Sequence, residues 1–332
     1  MPIFSFILIC YIMSASLVLS STQQILYRFG GPLLLAIGSI SCLLNLLIFT
    51  KGTLRKNHCT INFIAINIIH VIYLYMGLFF TSLSSGYGID PSAKSIVFCR
   101  LRFYVGFVIS CCQSSLLVVA TIDRTLITSS NNRIRRLTTR RVMIAIILVT
   151  CLFWTIVHTH ALFFTEIRQI GPNSFVCTCQ QGTYIIFITY YIVIINGVLP
   201  PILMTIFSCW TVRNIHRVRC IQRLSRVSNT RLITTGRPYS LQSKDHQLIR
   251  MLFVEILVYL ICKSPITLLF IYLQITNHDD KTTEQGLVEL LALQIIFFVY
   301  YIENSIGFYM NIIVSKTFRT EFKRIVLRIC HH

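Results

Sequence analysis

Three ionisable side chains lie inside long apolar runs of the sequence, namely Glu255, Lys263 and Glu303. Such groups are costly to place in lipid and normally face the interior of a helix bundle, where they find a partner. We therefore predict that Lys263 pairs with Glu303 at the floor of an internal cavity. The alternative is that Lys263 extends to a polar boundary or binds an anionic group of a ligand.

Motifs for catalysis and for metal binding are missing from the sequence. There is no HExxH, no GxSxG and no pair of carboxylates at an i, i+4 spacing within an apolar run. We expect His158 and His160 to be interior hydrogen-bonding groups, and His331-His332 offers too few ligands for a structural metal site. The sequence predicts no enzyme, no cofactor and no metal.

The elements that must position these residues are long apolar helices. The chain is 55% hydrophobic and only 12% charged, which is too apolar for a soluble domain. A segment of about 20 apolar residues crosses the hydrocarbon core of a membrane. The predicted fold class is therefore an all-α membrane protein whose residues 31–314 form a bundle of seven transmembrane helices. The predicted spans are 31–50, 61–83, 101–122, 142–164, 183–209, 251–273 and 287–314.

Basic residues predict the orientation of the bundle. The chain has 30 Lys and Arg against 11 Asp and Glu, but a nucleic-acid-binding protein would not be this apolar. In the seven-helix prediction, 23 of the 30 basic residues lie on one side, in the connections after the first, third and fifth spans and in the C-terminal tail. This side is expected to face the cytoplasm and to contact anionic lipids. The protein is expected in the plasma membrane, with its N-terminus outside the cell.

The N-terminal segment 1–30 is predicted to be extracellular. Its first 20 residues are apolar as well, although no basic residue precedes the apolar stretch. They would form a signal peptide, an eighth span, or an extension upstream of a true start at Met13. We favour a signal-like or spurious segment over a true span.

Several landmarks follow one another along the chain at characteristic spacings. Cys99 lies 25 residues before Arg124, which follows Asp123 at the end of the third span. From residue 30 to residue 328 the chain resembles the rhodopsin-like (class A) G-protein-coupled receptors, in which a cysteine and an Asp-Arg-Tyr motif have this separation. Further residues that match the family are Asn45, Trp154, Pro200 or Pro201, Pro265 and the pair Asn304-Ser305.

The C-terminal segment 315–332 carries two more features of this family. Its first part is basic and amphipathic, and Phe318 and Phe322 match the apolar face of the family's short eighth helix, which lies along the membrane. Cys330 follows and is a candidate for palmitoylation, as in other members of the family.

The resemblance implies a receptor that binds an extracellular ligand and activates a heterotrimeric G protein by outward movement of helix six. It also implies a latch in which Arg124 contacts Asp123 and Asp245 at rest and is released on activation. The alternative is that Asp245 is a solvated residue among the basic residues of its loop.

The resemblance further implies a disulfide between Cys99 and the second outer loop. Cys177 and Cys179 are both available there, and the choice between them depends on geometry rather than on sequence. The bridge would tether this loop across the ligand entrance.

The chain departs from the family at three places. The position of the sodium-binding Asp in helix two is taken by His70, or by Asn67 if the register moves by one turn. Lys263 replaces the tryptophan before the helix-six proline, and the stretch 308–312 lacks the Asn-Pro-x-x-Tyr motif. We therefore expect no sodium site of the usual kind and a different activation relay.

Two positions bear on the ligand. Gly106 stands where amine receptors carry Asp, and Ile302 stands where opsins carry the retinal lysine, so both of these classes are disfavoured. Acidic residues of the third outer loop (Asp279, Asp280 and Glu284) would attract a cationic ligand such as a basic or amidated peptide. The alternative is an ordinary solvated loop.

Other classes of protein compete with a working receptor. A receptor-shaped protein that no longer signals is compatible with the altered motifs of helices six and seven. A transporter or channel would use His70, Glu255, Lys263 and Glu303 as an ion path, but the sequence has no internal repeat.

Overall fold

The computed structural model of the protein describes residues 21–50, 60–129, 131, 133, 135, 138–171, 174–227, 243–276 and 283–330. Within these ranges, seven helices are long and apolar enough to cross a membrane. The predicted seven-helix fold is therefore confirmed. The helices are α1 (Ser21–Thr50), α2 (Thr60–Tyr87), α3 (Ile96–Thr128), α4 (Arg140–Leu162), α5 (Thr183–Arg217), α6 (Gln247–Ile275) and α7 (Val288–Val314).

The ends of the helices differ from the predicted spans. α1 begins at Ser21 rather than at residue 31, and α3 continues to Thr128 rather than to residue 122. Helical structure also precedes α6 and α7, from Ser243 and from Thr283. A helix can continue beyond the apolar layer because its backbone hydrogen bonds are internal. Residues 1–20, the predicted signal-like segment, lie outside the described ranges.

Local capping signals set several helix ends. The Ser95 hydroxyl accepts a hydrogen bond from Phe98 N (3.4 Å) at the start of α3, and Thr139 accepts one from Val142 N (3.4 Å) at the start of α4. α2 ends at Gly88, whose φ of 70° lies in the left-handed region where a Cβ atom is unfavourable.

Three of the membrane helices contain a wider π-helical turn, at Leu26–Gly30, Leu74–Phe79 and Val193–Val198. Turns of this kind interrupt regular α-helices and often occur at functional sites. In the third of them, a Cβ atom added to Gly197 would lie 2.4 Å from Thr267 of α6. Only glycine therefore allows α5 and α6 to approach this closely.

α3 is the central helix and packs against α2, α4 and α5. Its fully buried Leu116 and Leu117 belong to a core cluster with Phe63 of α2 and Met204 of α5. α4, by contrast, is peripheral, and its Val149 is 66% exposed. Large apolar side chains on the outside of a bundle are expected where lipid rather than water surrounds the protein.

A β-hairpin connects α4 to α5 and adds strands to the predicted all-α class. Strand β1 (Thr165–Gly171) pairs antiparallel with β2 (Ser174–Cys179), and Ile167 lies opposite Cys177. Gln180 N continues the pairing by donating to Phe164 O (3.0 Å). We call the end of the bundle that carries this hairpin the hairpin end, and the opposite end, where α3 finishes, the Arg124 end.

A short helix, α8 (Lys316–Cys330), follows α7, as predicted. Its Phe318 is fully buried against the rings of Phe49 and Phe308, with centroid distances of 5.5 and 5.8 Å. Lys323 and Arg324, on other faces, are exposed. The helix is therefore amphipathic, with one apolar face anchored on the bundle. The side chain of Cys330, the predicted lipidation site, lies outside the described part of the chain.

Candidate functional site: a cavity, a buried polar cluster and Arg124

A cavity of about 350 Å³ opens between α2, α3, α5, α6 and α7 at the hairpin end. Aromatic side chains form a large part of its wall, and the rings include those of Phe103, Phe107, Phe270 and Phe297. Cys177 of β2 also lines the cavity. Concave, mostly apolar sites with a few polar groups are typical of small-ligand sites.

The hairpin is fixed to α3 by a disulfide between Cys99 and Cys177, whose Cα atoms are 5.6 Å apart. The predicted bridge is thereby confirmed, and its partner is Cys177 rather than Cys179. Cys179 pairs instead with Thr165 in the strand register, and its free thiol is buried. Because burial disfavours the thiolate, the pKa of Cys179 rises to about 11.

Lys263 forms the floor of the cavity and is only 5% exposed. Its Nζ lies 3.5 Å from Glu303 Oε2, 3.3 Å from Gln113 Oε1 and 3.2 Å from the centroid of the Tyr300 ring. The structure thus brings Lys263 and Glu303 together across α6 and α7, as the sequence predicted. A carboxylate, an amide oxygen and an aromatic face together compensate the charge of this buried ammonium group.

Gln113 of α3 is the centre of a buried polar cluster below the cavity. Its Nε2 lies 2.6 Å from Glu303 Oε2, 2.9 Å from Asn304 Oδ1 and 3.1 Å from His70 Nε2. His70 Nε2 is also 3.6 Å from Glu303 Oε1. The cluster therefore connects α2, α3, α6 and α7 through side chains alone.

Three asparagines extend this connection to α1. Asn45 Nδ2 donates to Asn67 Oδ1 (3.1 Å), and Asn311 Nδ2 donates to Asn45 Oδ1 (3.2 Å). Asn67 is thus the α2 residue that contacts Asn45, whereas His70 lies one turn further toward the cavity. Neighbouring Ser305 is fully buried, and its hydroxyl donates to Tyr301 O (3.2 Å).

Prolines predicted as landmarks lie within α5 and α6. Pro200 has no N–H to donate to the carbonyl of Asn196, four residues earlier. The hydroxyl of Tyr259 on α6 donates to that carbonyl instead (3.2 Å). A hydrogen bond that Pro200 removes from α5 is thereby replaced by a contact between α5 and α6. Pro201 follows in α5, and Pro265 lies two residues beyond Lys263 in α6.

The aromatic residues of α4 serve packing rather than the cavity floor. Trp154 Nε1 donates to Ser115 Oγ of α3 (2.8 Å). His158 Nδ1 lies 2.9 Å from Trp154 O, and His160 Nδ1 lies 2.8 Å from the hydroxyl of Tyr184. Both histidines are thus hydrogen-bonded inside the bundle, and no group of three metal-ligating side chains occurs among the described residues.

At the Arg124 end, α3 carries two buried charges, Asp123 (1% exposed) and Arg124 (2% exposed). Among the described residues, neither oxygen of Asp123 and neither Nε nor Nη1 of Arg124 has a hydrogen-bond partner. The guanidinium lies 5.9 Å from the centroid of the Phe63 ring. The expected contact between Arg124 and Asp123 is therefore not formed, and the side chain of Asp245 lies outside the described part of the chain.

Two of the four predicted cavity residues, Gly106 and Lys263, line the cavity. Glu303 lies beneath it, in the polar cluster. Ile302 was predicted wrongly, because it packs against the α1 and α2 side chains of a cluster that includes Leu34 and Leu74. The cavity face of α7 carries Tyr300 and Tyr301 instead, and the next residue of a helix points about 100° further round.

Gln113 and Arg102 are functional-site residues that were not predicted from the sequence. Gln113 is an uncharged polar residue in the middle of a 33-residue apolar helix, and only the ionisable residues of the spans were considered. Arg102 lies within the first turns of α3 and lines the cavity, but it was not among the predicted cavity residues. The sequence signal that could have identified Arg102 was its position three residues after Cys99, in the first turns of α3.

A bundle of seven membrane helices, with a ligand-sized cavity at one end and a buried arginine at the other, has the architecture of a seven-helix receptor. The family model described as 7 transmembrane receptor (rhodopsin family) matches residues 91–307. The chain therefore belongs to the rhodopsin family of seven-transmembrane receptors and is a multi-pass membrane protein. A comparison with the curated proteins found no match.

Proposed function

We propose that the protein is a receptor of the plasma membrane that binds a ligand in the cavity and activates a heterotrimeric G protein at the Arg124 end. The observation that carries this proposal is that one helix, α3, joins the two sites. Arg102 and Gly106 line the cavity, Gln113 is the centre of the polar cluster, and Arg124 lies about 16 Å further along the same helix.

The basic residues support the orientation that this function requires. The Arg124 end carries most of the Lys and Arg residues, in the connections and in the tail, and the hairpin end carries few. By the positive-inside rule the Arg124 end faces the cytoplasm, and the cavity opens to the outside.

The geometry of α6 supports activation by an outward movement of this helix. Lys263 ties α6 to Gln113 of α3 and to Glu303 of α7 at the floor of the cavity. Pro265 removes one backbone hydrogen bond nearby and weakens the helix locally. A ligand that changes the contacts of Lys263 would then alter the balance between two positions of the helix.

A cell-based comparison of the wild type with Arg124→Ala tests the proposal. Both forms are expressed in cultured cells, surface delivery is confirmed, and G-protein activation is recorded with and without a ligand library that contains peptides and small acids. We expect a basal or ligand-evoked response that is lost in Arg124→Ala, because no other side chain can replace the buried guanidinium.

Arg168→Ala is the matched control, because Arg168 is an exposed arginine on β1 at the hairpin end, away from the proposed G-protein surface. Its response should equal that of the wild type. A response of Arg124→Ala equal to that of the wild type would contradict the role of this residue.

A second candidate is a receptor-shaped protein that does not couple to G proteins. It is favoured by the ion pair between Lys263 and Glu303, which holds α6 against α7 in a buried site. Silence of a well-delivered wild type toward the whole library, combined with ligand binding to the purified protein, would support this candidate.

The predicted peptide ligand rests on Asp279, Asp280 and Glu284, whose side chains lie outside the described part of the chain. The charges that line the cavity itself are a separate guide to the ligand.

A further inference from the structure

The charged side chains that line the cavity are both cationic. They are Arg102 in the wall and Lys263 in the floor, and no carboxylate belongs to the described lining. Glu303, the nearest acid to the floor, is 3% exposed and lies behind Lys263 and Gln113. The described wall and floor therefore present only positive charge to a ligand.

The two cations differ in how fully they are partnered. Lys263 contacts a carboxylate, an amide oxygen and the face of a tyrosine ring within 3.5 Å. Arg102 donates from Nη1 to Ser92 Oγ (3.1 Å) and from Nη2 to Thr81 Oγ1 (3.3 Å). A guanidinium has five N–H donors, so Arg102 retains donors for a ligand.

The ion pair between Arg102 and Asp90 does not close this site. Arg102 Nη1 lies 3.8 Å from Asp90 Oδ1, and the two side chains are 23% and 26% exposed. A long, partly solvated pair of this kind contributes little. A ligand carboxylate that makes two short hydrogen bonds to the guanidinium would bind more strongly than Asp90 does at this distance.

The remainder of the cavity is suited to a flat apolar group. Phe103 and Phe107 of α3, together with Phe270 of α6 and Phe297 of α7, line a space of about 350 Å³. Ligand sites range from about 300 to 1,000 Å³, so this cavity holds a small molecule or the end of a larger one. Aromatic rings in a ligand would stack against these side chains.

We propose that the ligand is an aromatic carboxylate whose acid group binds Arg102 and whose ring lies among the phenylalanines toward Lys263. This inference rests on the proposed function, because it names the ligand class of the same cavity. The carboxylate belongs either to a free aromatic acid or to the C-terminus of a peptide that ends in an aromatic residue.

This ligand class differs from the cationic ligand that the acidic outer loop suggested. An ammonium group in the cavity would lose its water and meet Arg102, with no carboxylate in the described lining to accept it, because Glu303 already compensates Lys263. Like charges in a desolvated site repel each other strongly. The outer loop would then affect the approach of the ligand rather than its bound state.

Binding to the purified receptor in nanodiscs tests the inference without any G protein. The probes are 2-naphthylacetate and the amide and the amine with the same ring, together with hexapeptides that end in phenylalanine as the free acid or as the amide. The thermal unfolding midpoint is measured against probe concentration, because a bound ligand stabilises the folded state.

We expect an acid to raise the midpoint, and its amide and amine analogues to bind at least about tenfold more weakly. Binding by naphthylacetate would identify a free acid as the source of the carboxylate, and binding by the peptide acid alone would identify a C-terminus. Arg102→Gln should weaken binding of the acid at least about tenfold, and Arg102→Lys should restore part of it.

Two further variants separate binding from folding. Arg100→Gln is the matched control, since Arg100 lies on the same helix but donates from Nε to Thr165 O of the hairpin (3.4 Å). It should bind as the wild type does. Gly106→Leu should abolish binding and still fold, because a Cβ added there meets no heavy atom within 4 Å and the side chain fills open space.

The inference would be overturned if the amine bound more tightly than the acid, if Arg102→Gln bound the acid as well as the wild type, or if no acid in the panel bound at millimolar concentration. An acid that binds without evoking a G-protein response supports the inference and contradicts the proposed function. A G-protein response that amines evoke through the cavity supports the proposed function and contradicts the inference.

Discussion

Around Lys263, four helices bring together buried polar groups that mostly bind one another, whereas the buried charges of Asp123 and Arg124 are largely without hydrogen-bond partners in the described part of the chain. Gln113 alone contacts Lys263, Glu303, His70 and Asn304. At the Arg124 end, both Asp123 oxygens and two Arg124 nitrogens have no hydrogen-bond partner there, and neither does the amide of Asn62.

This difference indicates which end of the bundle satisfies more of its buried polar groups internally. A buried polar group without a partner costs about 1–3 kcal/mol, so it is retained only where another state or another molecule supplies the partner. Most polar groups of the cluster at Lys263 bind one another and stabilise the resting bundle, although Glu303 Oε1 and Asn304 Nδ2 have no hydrogen-bond partner among the described residues. Among the described residues, Asp123, Arg124 and Asn62 at the Arg124 end have donors and acceptors without partners, which fits a surface completed by a partner protein or by the movement of α6.

The largest loss of stability is expected when the buried ion pair between Lys263 and Glu303 is broken. Lys263→Met leaves Glu303 as a buried, uncompensated carboxylate, which should destabilise the protein by about 3–5 kcal/mol. The measurement is the thermal unfolding midpoint in detergent, together with the surface level in cells. Lys94→Met, at an exposed lysine, is the control and should match the wild type.

The double variant Lys263→Met with Glu303→Gln sharpens this test. It removes both charges, so most of the lost stability should return. A Lys263→Met protein as stable as the wild type would show that the pair does not hold the bundle together.

A smaller loss of stability is expected when the disulfide that fixes the hairpin to α3 is removed. Cys177→Ala removes the bridge to Cys99 and should lower stability by about 2–4 kcal/mol, because the disulfide restricts the unfolded chain. Cys179→Ala should cost less, since this thiol is free. Because its pKa is raised to about 11, Cys179 stays protonated at neutral pH and should react slowly with maleimide.

Intact wild-type protein is the reference for the maleimide reaction, and Cys220, which is exposed and lies beyond the membrane span α5, is its positive control. Equal losses of stability in Cys177→Ala and Cys179→Ala would contradict the assignment of the bridge.

The seven-helix bundle could be predicted from the sequence because a membrane restricts which segments can cross it. Each span must be long, apolar and helical, so the seven segments could be found from composition alone. The amphipathic α8 was predicted from the resemblance to the receptor family, through Phe318 and Phe322. The ion pair between Lys263 and Glu303 was predicted for the same reason, since two opposite charges inside adjacent spans have few other ways to be compensated.

Contacts that depend on helix rotation could not be predicted in this way. The role of Gln113 depends on which face of α3 meets α2, α6 and α7, and Ile302 was misplaced because the rotation of α7 was not known. The choice of Cys177 over Cys179 required the strand register of the hairpin, in which Cys177 lies opposite Ile167 and Cys179 lies opposite Thr165.

The smallest effect provides the closest comparison of the two ends, because α2 carries a buried asparagine at each. Asn67 donates to Phe63 O (2.9 Å) and accepts from Asn45 (3.1 Å), whereas Asn62 has no hydrogen-bond partner among the described residues. Asn67→Leu should therefore lower the free energy of unfolding by about 1–3 kcal/mol, since it leaves the amide of Asn45 short of an acceptor. Asn62→Leu should leave this free energy unchanged or raise it by up to about 1 kcal/mol, because it removes a polar group that is buried without compensation.

The measurement is the unfolding midpoint of both variants in the same detergent, with G-protein activation recorded in parallel. If Asn62→Leu is as stable as the wild type but signals less, then Asn62 finds its partner in the active state. If it is as destabilised as Asn67→Leu, then Asn62 is already paired at rest, and the two ends of the bundle do not differ in the way proposed.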